Sequence, residues 1–95
     1  MNFVDRIADA QDITDVFELV NEFVSGLHRA RDIYKLPSHL RPIRIEDVDE
    51  LSHWLRVISE EIQRADDKEQ DIPNVIFELH AILETAAQKL RGSFH

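Results

Sequence analysis

The sequence predicts an all-α fold: an antiparallel three-helix bundle with a short N-terminal helical arm, four helices if the arm is counted. Three observations predict it. Apolar residues recur at alternating steps of three and four in three separate stretches, which keeps them on one face of a helix. Glycine occurs only at 26 and 92 and proline only at 37, 42 and 73, too sparse a punctuation for an all-β chain. The 95 residues fall below the size at which chains usually divide, so 1–95 reads as a single helical domain.

The arm comes first. Phe3, Val4, Ile7, Ala8 and Ala10 suit a short helix, and the stripe slips between Ala10 and Ile13, which separates this element from the next. From there Ile13, Val16, Val20, Phe23, Leu27, Ala30 and Tyr34 form one stripe. Asp12 and Thr14 are both suitable N-caps. Leu36 precedes Pro37, whose ring disfavours helix at the residue before it, so the first long helix should stop near Lys35. Phe17 and Val24 flank the stripe on one side, Leu19 and Ile33 on the other. A face that wide needs cover on two sides. It fits a central helix wrapped by both neighbours and the arm, or a seam for a partner helix or a second copy of the chain.

The second long helix carries Val48, Leu51, Leu55, Ile58, Ile62 and Ala65, with Glu46, Asp47, Asp49 and Glu50 crowded at its start, where carboxylates complement the helix dipole. The third carries Ile72, Ile76, Leu79, Leu83, Ala86 and Leu90. Asp71 is its expected N-cap, Pro73 fits the first turn, and Gly92 is the expected stop. The connections are a proline-bounded loop over 37–44 and a short polar turn over 66–70. Trp54 and Phe77 lie beside the stripes of their own helices. They are expected as aromatic anchors for a partner, with half-buried packing as the plainer alternative for Trp54.

Composition bounds the function. Apolar residues are 43% and charged residues 32%, which suits a folded chain rather than a disordered one. The absence of cysteine excludes disulfides and thiolate chemistry. No apolar run approaches the roughly 20 residues of a membrane span, and the start lacks the pattern of a signal peptide, so a cytoplasmic setting and no membrane partner are expected.

Charge is segregated along the chain. The net charge is −8, and its parts differ: residues 1–27 carry −5, 28–44 carry +4, 45–74 carry −7, and 75–95 are neutral. The acids Glu46, Asp47, Asp49, Glu50, Glu60, Glu61, Asp66, Asp67, Glu69 and Asp71 cluster at the two ends of the second long helix. Such a surface repels phosphates and attracts basic proteins; its bland alternative is a solvated face. The segment 28–44 is the opposite, with Arg29, Arg31, Lys35, Arg41 and Arg44 around Tyr34. Arg29, Arg31, Arg41 and Arg44 form an alternative basic site for phosphates or carboxylates. Nucleic acid is nevertheless the disfavoured partner, because its binders normally carry a larger, net-positive footprint.

Motifs for chemistry are few. Glu50 and His53 have the Glu-x-x-His spacing of di-iron bundles, but a second such pair is missing. Asp49 with His53 reads likewise as a surface pair, and His80 borders the third stripe. Glu46 with Asp49, Asp47 with Glu50, and Glu18 with Glu22 imitate part of the Mg²⁺ site of all-α nucleotide pyrophosphohydrolases, yet the apolar stripes already claim the inside. Arg91 and His95 only loosely match the Arg–His spacing of some helical ribonucleases. No glycine-rich phosphate loop, HExxH or GxSxG occurs. The expectation is a non-enzyme with no cofactor and no metal. By analogy of class with small acidic inhibitors, immunity proteins, antitoxins and phage-encoded anti-defence proteins, it would mask the basic, nucleic-acid-binding surface of a protein partner. Glu46, Asp47, Asp49, Glu50, Trp54, Glu60, Glu61, Asp66, Asp67 and Phe77 are the expected contacts. A helical nucleic-acid-contacting regulator and a homo-oligomeric subunit, dimeric through the first long helix, are the alternatives.

Overall fold

A computed structural model describes residues 2–29, 44–72 and 74–93, and the side chains of all of these except Leu27, His28, Arg29 and Ser93. The described residues form a helical bundle with a short N-terminal arm: α1 (Phe3–Ala8), α2 (Ile13–Arg29), α3 (Val48–Asp67) and α4 (Asn74–Ser93).

α1 has six residues, too few to persist alone in water. Asn2 caps it, its Oδ1 accepting the Asp5 N–H at 2.9 Å. Tertiary contacts then hold it. Ile7 is fully buried, and the Phe3 ring meets Phe23 of α2 edge-on at 5.4 Å. Lys89 of α4 donates its Nζ to the Ala8 carbonyl at 2.6 Å, satisfying a last-turn acceptor that the helix itself leaves open.

α2 starts where the spacing predicts. Asp12 rather than Thr14 is the cap: its Oδ1 accepts the Asp15 N–H at 2.9 Å. Val16, Val20 and Val24 are buried, while Phe17, Leu19 and Phe23 are half-buried. Ile13, assigned to the stripe, is exposed, as a first-turn residue can be when no element covers it. The expected end near Lys35, with Ala30, Ile33 and Tyr34, lies outside the described residues.

In α3 the stripe is turned from its expected position. Leu51, Trp54, Val57 and Ile58 are buried, whereas Leu55 and Ile62 are half-buried and Val48 is exposed. Trp54 is therefore a core residue, 2% exposed, and not a partner anchor. Adjacent helical residues point about 100° apart, and α3 packs chiefly on α4, which claims the arc holding Trp54 and Val57. Burying an indole also removes more apolar area from water than burying a leucine.

A left-handed turn ends α3 without a glycine. Glu69 has φ 53°; the Gln70 N–H donates to the Ala65 carbonyl at 2.8 Å and the Glu69 N–H to Asp66 at 3.1 Å. Together these make a Schellman cap.

α4 begins at Asn74, so Asp71 lies upstream of the helix and is not its N-cap. Gly92 falls inside the last turn instead of stopping it, and no described glycine has a positive φ. Ile76, Leu79, Ile82, Leu83, Ala86, Ala87 and Leu90 are all buried, a face wider than its stripe because α4 packs against α1, α2 and α3 alike. Among the described residues the hub of the bundle is α4, whereas the width of the α2 face suggests α2 itself.

Candidate acidic interface

Asn21 fixes how the chain enters α3. It is a mid-helix residue of α2, only 5% exposed. Its Nδ2 donates to the Ile45 carbonyl at 2.7 Å and its Oδ1 accepts the Ile45 N–H at 2.8 Å. One side-chain amide thus satisfies both backbone groups of a fully buried residue that lies outside any helix, where no helical bond is available to it. Two residues on, Asp47 caps α3 by accepting the Glu50 N–H at 2.8 Å, and Glu50 reaches back to the Glu46 N–H at 3.0 Å. Two of the expected contact acids, Asp47 and Glu50, are therefore engaged in helix capping.

The remaining acids of α3 divide by face. Glu61 is half-buried and pairs with Arg64 at 2.6 Å. Glu46 lies 3.8 Å from Arg44 with both side chains largely in solvent, a contact worth little. Asp49, His53, Arg56, Glu60, Gln63 and Asp67 succeed one another by steps of four and three on the side opposite Trp54 and Ile58. Along that outward row Arg56 pairs with His53 at 3.2 Å and Gln63 donates to Asp67 at 3.1 Å. Among the described residues no cation lies within ion-pairing distance of Asp49, Glu60, Asp66, Asp67, Glu69 or Asp71. Acids at the start of α3 are explained by its dipole and cap. Asp66 and Asp67 stand in the last turn, where the dipole opposes them.

Beside this row lies an open cleft of about 500 Å³ between the first half of α2 and the approach to α3. Ile45 and Asn21 sit at its buried side, Ile13, Phe17 and Val48 supply apolar wall, and Glu18, Glu46 and Asp47 carry carboxylates against the single guanidinium of Arg44. A second cleft of about 460 Å³ separates α3 from the end of α4; Val48 and Leu55 line it, and Arg56 and Arg91 make it cationic.

Phe77 stays at the surface as expected, 49% exposed on α4. Of the alternative basic site, Arg44 is described and lines the acidic cleft; the Arg29 side chain, Arg31 and Arg41 lie outside the described residues.

The histidine pairs separate. Glu50 turns to backbone while His53 meets Arg56. Glu22 reaches Arg6 at 3.6 Å, and Glu18 lines the cleft. Among the described residues no three His, Asp or Glu side chains gather as a metal site. One arrangement joins residues that sequence spacing does not bring together: His80 Nε2 lies 3.0 Å from Ser59 Oγ and its Nδ1 lies 3.6 Å from Glu84. The order matches a serine–histidine–acid relay. Yet Ser59 is mid-helix, its neighbouring N–H groups are taken by helix bonds, and neither cleft contains it. The contact ties α3 to α4. No described helix is long and apolar enough to cross a membrane.

Comparison with protein-family models, with curated proteins and with solved structures finds no match.

Proposed function

We propose that the chain is a non-catalytic protein-interaction module whose outward α3 carboxylates dock on a basic surface of a partner protein, one that the partner otherwise uses for nucleic acid. One observation carries the reading. Asp66 and Asp67 oppose the α3 dipole, and with Glu60 they face solvent with no ion-pairing cation among the described residues, so the helix dipole does not account for them; Asp49, which the dipole favours, extends the same outward row. Capping accounts for Asp47 and Glu50, which leaves the outer row and the turn that follows it as the contact surface. Long-range attraction speeds the encounter with a cationic partner and weakens with salt. Inhibitors, immunity proteins and anti-defence proteins work in this manner, and that class is the one the reading favours.

The test is affinity capture from the native host with two baits: the parent chain and a variant carrying Asp49→Lys, Glu60→Lys and Asp67→Lys. The expected result is a protein retained by the parent alone, released by raised salt, and prevented from binding nucleic acid by the purified parent. Equal retention by both baits would remove the α3 row from the mechanism.

A further inference from the structure

The outward row supplies charge, but charge alone does not select a partner. The cleft between α2 and the approach to α3 holds what the row lacks. Ile13 and Val48, two of the exposed large apolar side chains of the bundle, are 44% and 47% exposed and both border it. Phe17, half-buried, lines it with them. The walls are set by the Asn21–Ile45 pair and by the Asp47 cap, so the cleft is formed before any guest arrives. Its volume of about 500 Å³ lies within the roughly 300–1,000 Å³ of binding pockets. Among the described residues three carboxylates to one guanidinium line it and make this rim anionic, in contrast to the cationic second cleft.

We infer that this cleft is the specificity pocket of the interface, taking a large aliphatic or aromatic side chain from a lysine- and arginine-rich segment of the partner protein. The guest's apolar group covers Ile13, Phe17 and Val48 while its flanking cations meet Glu18 and Glu46, the two rim carboxylates that capping does not engage. Burial of one anchor in a preformed pocket, ringed by charge that excludes the wrong sign, is how small interfaces obtain selectivity. The inference rests on the proposal that a cationic protein is the partner, and adds where the discriminating contact is made.

The probe is a short fluorescein-labelled peptide of lysines and arginines around two leucines, with a twin in which alanines replace the leucines; binding is read by fluorescence anisotropy. The leucine peptide is expected to bind the parent about tenfold more tightly than its twin, a step typical of one partly buried anchor. Ile13→Ser with Val48→Ser should erase that preference and leave the twin's affinity unchanged. Both positions are exposed, so the fold survives, and a circular-dichroism melt verifies it. Glu18→Lys with Glu46→Lys, which keeps the apolar wall, should weaken both peptides.

Equal affinities of the two peptides for the parent, or a preference that survives Ile13→Ser with Val48→Ser, would overturn the pocket. If Asp49→Lys with Glu60→Lys weakened both peptides in that case, the acidic interface would stand without it. If neither peptide bound the parent, both proposals would be overturned.

Discussion

Replacing Asn21 tests the joint on which the acidic end of the bundle is built. The amide makes two bonds, at 2.7 and 2.8 Å, to the N–H and C=O of Ile45, a residue with no exposed surface. Asn21→Ala leaves a buried donor and a buried acceptor without their partner, each costing about 1–3 kcal/mol, less where water enters the gap. The expected loss is about 2–4 kcal/mol out of a total on the order of 5–10 kcal/mol. At about 4–8 °C per kcal/mol for a domain of this size, the melting temperature should fall by about 10–25 °C.

Asn21→Asp separates the two bonds. The introduced carboxylate still accepts the Ile45 N–H but sets a second acceptor against the Ile45 carbonyl. Burial and that lone pair raise the introduced carboxyl above the roughly 3.9 of an unfolded aspartate. A group raised on folding contributes most when protonated, so the variant's deficit against the parent should be largest near neutral pH. It should shrink as pH falls through the raised value, by about 1.4 kcal/mol for each unit of elevation. Urea unfolding of both proteins at neutral and mildly acidic pH measures this. A deficit under about 0.5 kcal/mol for Asn21→Ala, or one for Asn21→Asp that does not change with pH, would refute the reasoning.

Three further outcomes follow from the packing. Leu79→Ala and Leu51→Ala, at fully buried positions, should each cost about 2–5 kcal/mol, and Leu55→Ala clearly less because that side chain is half-buried; denaturant midpoints rank them. Glu69→Gly should stabilise by about 0.5–1 kcal/mol, since it relieves the left-handed backbone at φ 53° and removes one charge from an anionic turn; a lower melting temperature would contradict the cap. Trp54→Ala should cost about 3–5 kcal/mol as a core truncation, and tryptophan emission should lie at short wavelength in the folded state and move red on unfolding.

The long helices were legible because the steps of three and four persist through them and sparse glycine leaves no competing turn. What escaped depends on partners distant in sequence. Leu51, Trp54 and Ile58 satisfy the same spacing as Leu51, Leu55 and Ile58, and only the position of α4 decides between them. Asp71 is a good cap in isolation and so points to an earlier start for α4 than Asn74, and the end of α3 has no glycine to announce its left-handed residue. Asn21 did carry a signal: it lies four residues after Phe17 and three before Val24, so a polar side chain interrupts an apolar row and demands a buried partner. That partner, Ile45, cannot be found from spacing. The acids were legible as a group, but their division between caps and outer face needed the helix boundaries.

The most direct test of the central claim is the association rate of the parent with its captured partner, followed by stopped flow across a range of salt. The outward carboxylates predict a rate that falls steeply with ionic strength, and a low-salt rate cut at least about tenfold by Asp49→Lys, Glu60→Lys and Asp67→Lys together, with little change at high salt. A rate independent of salt, or one untouched by the three reversals, would contradict it.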